Sequence, residues 1–100
     1  MMTVTPQELM FWTESSKPFT LVDVREGFER ELFSLGGLHI PLGEIHLRWQ
    51  ELPADTPLVF YCAKGIRSGI AMQRLESAGL GPMYNLTGGV AAWQDAGGAV

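Results

Sequence analysis

Hydrophobic positions fall into short clusters bounded by Gly, Pro and charged residues, and the spacing inside each cluster says which element it forms. Thr5-Pro6-Gln7-Glu8 opens the first. Thr is a capping residue, Pro suits the first helical position, and Glu three residues after the Thr completes a capping box. A helix is therefore predicted to about Ser15, with Leu9, Met10, Phe11 and Trp12 as its apolar side, before Lys17-Pro18 breaks the pattern. Phe19 to Val24 is a short run rich in β-branched residues, suited to a strand buried on both faces in a parallel sheet. Phe28, Leu32 and Phe33 recur at near-helical spacing and predict a short helix that ends before Gly36-Gly37. Leu38-His39-Ile40 reads as a brief strand stopped by Pro41, and Gly43 to Leu52 as a helix.

The second half repeats the alternation. Pro53-Ala54-Asp55-Thr56-Pro57 is a turn cluster, and Leu58-Val59-Phe60-Tyr61 after it is the clearest buried strand in the chain. From Ser68 onward Ile70, Ala71, Leu75 and Ala78 share one helical face, with Gly79 as a left-handed stop. Met83 to Leu86 is a last strand, and Gly88-Gly89 lead into a final helix through Val90, Ala92 and Trp93. Short apolar strands alternating with helices predict one α/β domain spanning residues 1–100, with a mainly parallel sheet.

Composition removes several functions from this picture. Seven Lys and Arg against eleven Asp and Glu, with no basic run, lack the electrostatic footprint of a nucleic-acid binder. The apolar runs are a few residues long, against about twenty for a membrane span, and an acidic surface argues against anionic lipid. The first residues carry no positive or apolar leader pattern, so a cytoplasmic setting is expected. Met1 and the small-residue end Ala96-Gly97-Gly98-Ala99-Val100 fit a complete unit. The single cysteine excludes an internal disulfide and a thiol-rich zinc site. His39 and His46 have no second ligand cluster, so no metal is expected.

That cysteine sits where chemistry is expected. The strand ending at Tyr61 delivers Cys62 into Ala63-Lys64-Gly65-Ile66-Arg67, and Ser68 opens a helix. In open α/β sheets ligands bind beyond the carboxyl ends of the strands, where helix N-terminal amides form an anion site. Those amides, the helix dipole and the cations Lys64 and Arg67 all favour a thiolate. Gly65 lets successive N–H groups converge on the sulfur. Arg67 either faces the bound anion or ties the loop from outside. A lone intracellular cysteine is usually a small buried hydrophobe, but this ordering of strand, cysteine, cationic glycine-bearing loop and helix argues for a reactive thiol. Asp23 and Arg25 end a strand at the same edge and read as structural, with support of the loop as the alternative. Glu26, Glu29 and Glu31 read as a solvated helix face, and Trp12, Trp49 and Trp93 as core or rim packing, with Trp49 also a candidate partner surface.

Three segments carry a family resemblance: Val22-Asp23-Val24-Arg25-Glu26, Cys62-Ala63-Lys64-Gly65-Ile66-Arg67-Ser68, and Asn85-Leu86-Thr87-Gly88-Gly89 followed by Ala92-Trp93. In this order and spacing they resemble the rhodanese-like domain family across nearly the whole chain. Leu35 to Glu44 is similar to the version in rhodanese domains fused to adenylyltransferases of molybdopterin and thiamine biosynthesis. The resemblance implies a five-stranded, mainly parallel sheet flanked by helices. It also implies a Cys62 that takes sulfane sulfur as a persulfide, with thiosulfate as donor and cyanide as acceptor in the usual assay. By the same match the amides of Ala63, Lys64, Gly65, Ile66, Arg67 and Ser68 cradle the persulfide, and Lys64 and Arg67 bind the donor's anionic part. The expected partners are a small anionic sulfur donor and a sulfur-carrier or thiol protein as acceptor, with no cofactor. A protein-specific persulfide relay with little small-molecule turnover is the rival reading, and a redox-sensing or interaction domain a third. Four residues between Cys62 and Arg67, where cysteine phosphatases have five, make the loop tight for a phosphate.

Overall fold

The chain's computed structural model describes residues 2–98. The chain-end reading and the 1–100 bounds involve Met1, Ala99 and Val100, which lie outside the described residues.

The sheet is built outward from its most apolar segment. Strand β4, Leu58–Tyr61, is fully buried, and its side chains alternate between two cores. Leu58, Phe60 and Cys62 enter one core, and Val59 and Tyr61 the other, as the two-residue period of a strand requires. Around it lie β1 (Thr3–Val4), β2 (Thr20–Asp23), β3 (Leu38–His39) and β5 (Met83–Leu86) in the order β1-β5-β4-β2-β3, and all four pairings are parallel. Helices α1 (Pro6–Glu14), α2 (Gly27–Leu32), α3 (Ile45–Arg48), α4 (Ile66–Arg74) and α5 (Gly89–Asp95) complete an α/β domain. Register places Asp23 beside Tyr61, so β2 and β4 end together and their following loops share one edge.

The local signals at α1 form as written. The Thr5 hydroxyl accepts from the Glu8 amide at 3.1 Å, and the Glu8 carboxylate accepts from the Thr5 amide at 2.9 Å. Leu9 is buried and Trp12 packs edge-on against Tyr84.

Several expectations change. The two-residue strand β1 pairs with β5, and it is too short to show any period. Phe11 does not face the core but is 66% exposed. The short helix expected from Phe28 and Leu32 forms as α2, with both of these side chains in solvent and no residue of the helix buried. The predicted helix 43–52 is a four-residue α3 between two 3-10 turns, Leu42–Glu44 and Trp49–Glu51. Helix α4 starts at Ile66 and ends at Arg74, before Gly79, whose φ of +74° belongs to the turn beyond it.

Candidate active site

Cys62 leaves β4 on the side that faces α4, and its residue is 1% exposed. The chain then doubles back through Gly65, whose φ of +98° lies in the left-handed region that favours glycine. That turn brings the Gly65 amide to 3.1 Å and the Ser68 amide to 3.4 Å from Cys62 Sγ, with the Ser68 hydroxyl also at 3.4 Å. Burial raises the thiol's pKa, but the hydrogen bonds around the sulfur, among them the amides of Ser68, Lys64 and Gly65, outweigh it. The net direction is downward, toward the thiolate.

The loop is held open by its neighbours. The first amides of α5 take up carbonyls that would otherwise compete for the loop's donors: Val90 N–H donates to the Cys62 carbonyl at 2.9 Å and Ala91 N–H to the Ala63 carbonyl at 3.0 Å. The Gly88-Gly89 pair is what lets α5 come so close. A Cβ on Gly89, at φ +62°, would run into the carbonyls of Cys62 and Ala63. From the end of β5, Asn85 Nδ2 donates to the Gly65 carbonyl at 2.9 Å, and Asn85 Oδ1 accepts from the buried Ser68 hydroxyl at 2.5 Å. The carbonyl partner of Nδ2 fixes which way the amide points. Asn85 thus braces both ends of the cradle.

Arg67 is turned to a different partner from the sulfur. Its two terminal nitrogens donate to the two carboxylate oxygens of Glu29 on α2, at 2.7 and 2.8 Å. Reading Glu26, Glu29 and Glu31 together as a solvated face is therefore corrected at Glu29. The Arg67 hydrogen bond holds the Glu29 carboxyl at about 2, well below its ordinary 4.5, against the upward pull of burial. The signal that could have found Glu29 is its place three residues after Glu26, whose amide it caps at 3.1 Å. Lys64 is exposed, and its ammonium has no hydrogen-bond or ion-pair partner among the described residues.

Asp23 and Arg25 do not touch the Cys62 loop. The Arg25 guanidinium meets both Asp23 oxygens at 3.0 Å and donates to the Phe33 carbonyl at 2.6 Å, while Arg30 reaches Asp23 at 3.4 Å. This buried cluster seats α2, from which Glu29 reaches Arg67. His39 Nε2 lies 2.7 Å from the Arg25 carbonyl oxygen and His46 is exposed. Among the described residues no group of three or more His, Cys, Asp and Glu is arranged to hold a metal ion. Among the same residues no helix is long and apolar enough to cross a membrane. Trp49 and Trp93 are half-buried against opposite cores.

A parallel α/β domain that surrounds one cysteine with inward-facing amides, at the carboxyl end of its central strand, is a cysteine-loop group-transfer domain. The chain belongs to the rhodanese-like domain family, which it matches over residues 5–96. It is 35% identical over 94 residues to a Mycobacterium tuberculosis protein named probable adenylyltransferase/sulfurtransferase MoeZ, covering 91% of this chain and 24% of that protein. A sulfurtransferase of Allochromatium vinosum is 38% identical over 74 residues, 73% of this chain and 69% of its own. The crystal structure of a thiosulfate sulfurtransferase from Pseudomonas aeruginosa superposes with a TM-score of 0.88 at 28% identity, over 99% of this chain and 20% of that one. The chain spans about a quarter of MoeZ's length, and that match agrees with the resemblance read from residues 35–44.

Proposed function

We propose that this domain moves sulfane sulfur from a donor such as thiosulfate to a thiophilic acceptor through a persulfide on Cys62. The acceptor is cyanide or a thiol, including a thiol on a sulfur-carrier protein. The observation that carries this reading is the convergence of the Gly65 and Ser68 amides on the sulfur. They stabilise negative charge on the thiolate before attack and on the persulfide afterward. In the first step the thiolate attacks the outer sulfur of thiosulfate, the S–S bond breaks, and sulfite leaves with the electron pair. In the second step the acceptor attacks the outer sulfur of the persulfide and Cys62 leaves as thiolate. A covalent relay of this kind splits one transfer into two displacements and predicts ping-pong kinetics. The amides from Ala63 to Ser68 form the cradle, and Lys64 is free to meet an anionic donor.

Incubation with thiosulfate is expected to raise the intact mass by one sulfur atom, and cyanide to restore it. Cys62→Ser is expected to keep the fold and lose turnover, because the hydroxyl is close in size but far less nucleophilic at neutral pH. A mass that never changes, or turnover retained by Cys62→Ser, would remove Cys62 from this role.

A further inference from the structure

At the edge of the sheet where β4 and β5 begin, opposite the edge that holds Cys62, three of the chain's five methionines line one cavity of about 270 Å³. They come from three separate segments. Met72 lies near the end of α4, Met83 opens β5, and Met2 precedes β1. Met72 belongs to the core that α4 covers and Met83 packs against that core, so the cavity has an apolar wall. Met2 belongs to neither core. It is 48% exposed, yet its carbonyl accepts from the Asn85 amide at 3.0 Å, which pins it beside β5. Of the other residues that line the cavity only Glu76 is charged, and its carboxylate has no hydrogen-bond or ion-pair partner among the described residues.

From this convergence we infer a binding site for a soft monovalent metal ion, Cu(I) or its analogue Ag(I), with the sulfurs of Met2, Met72 and Met83 as ligands and Glu76 as counter-charge. Ligand softness selects the ion. Thioethers are neutral, polarizable donors that favour Cu(I) over the harder ions that carboxylates, imidazoles and water hold. Charge points the same way: one cation and one carboxylate leave no net charge against an apolar wall, whereas a divalent ion leaves one positive charge unbalanced. A methionine side chain turns about three bonds, so three sulfurs can close on one ion without moving the backbone. The ion binds with no change of oxidation state, and no proton leaves, because a thioether carries none. The site is independent of the Cys62 chemistry and needs no cluster of His, Cys, Asp and Glu, of which the described residues hold none.

Ag(I), a redox-inert probe, is titrated into the full chain carrying Cys62→Ser, since the thiolate would otherwise take the ion. Native mass spectrometry is expected to show one Ag(I) per chain, and no Zn(II) under the same conditions. In a methyl NMR spectrum the signals of Met2, Met72 and Met83 are expected to shift together while that of Met10, which lies outside the cavity, stays in place. Met72→Leu and Met83→Leu conserve side-chain volume, so each is expected to keep a cooperative melt while weakening Ag(I) binding by about tenfold or more. Absence of a one-to-one complex, shifts confined to Met2, or affinity unchanged in both Leu variants overturns the site. Should any of these variants not fold, the native chain alkylated at Cys62 takes the methyl measurement, where a joint shift of the three signals supports the site and its absence overturns it.

Discussion

Cys62 combines two demands that usually conflict. Its residue is almost wholly buried, which favours the neutral thiol, yet its sulfur receives two backbone amides and touches a hydroxyl. The amides win because they are fixed by the turn at Gly65 and need no reorganisation when charge appears. Iodoacetamide alkylation followed against pH is therefore expected to show a midpoint below that of an ordinary thiol. Ser68→Ala is expected to move the midpoint upward and to slow alkylation severalfold at neutral pH. A midpoint unmoved in Ser68→Ala would show that the backbone amides act alone. Cys62 and the loop from Ala63 to Ser68 were legible in the sequence because a strand, a glycine turn and a helix start are local signals. Asn85 was legible only as part of a motif, since its two bonds reach Ser68 and Gly65, 17 and 20 residues away.

At the scale of elements, the site is an agreement among three segments. Helix α5 holds the carbonyls of Cys62 and Ala63, β5 delivers Asn85, and α2 presents Glu29 to Arg67. Gly89 is where this agreement is most easily broken. Gly89→Ala places a methyl group against the Cys62 and Ala63 carbonyls in a backbone conformation with φ of +62°. The expected result is a loss of about 2–4 kcal/mol of stability, the range for overpacking combined with a strained backbone, checked by urea unfolding. Turnover is expected to fall by more than about tenfold, because the loop carbonyls lose their amide partners before the domain unfolds. A variant with normal turnover would show that the loop holds its shape without α5. The exposed α2 belongs to this scale as well. Its periodic Phe28 and Leu32 predicted a short helix, which forms with both side chains in solvent and is anchored through Glu29 and the Asp23–Arg25–Arg30 cluster.

Across the whole molecule, β4 ties two cores to one reactive edge. Phe60 and Tyr61 are fully buried on opposite faces of the sheet, and Cys62 continues the Phe60 side. Phe60→Ala is expected to destabilise the domain by about 3–5 kcal/mol, the usual range for removing a buried aromatic ring, as read by chemical denaturation. A cost below about 1 kcal/mol would mean that the central strand is not the keystone its burial implies.

The sequence by itself determined the alternation of strands and helices, the capping box at Thr5 and the cysteine loop, because each is encoded within a few neighbouring residues. Tertiary structure alone decided that β1 joins the sheet, that α2 stays exposed, and that Arg67 turns to Glu29, 38 residues earlier in the chain. Such pairings depend on which segments the folded sheet brings side by side, and a carboxylate on a helix looks the same in sequence whether water or an arginine faces it.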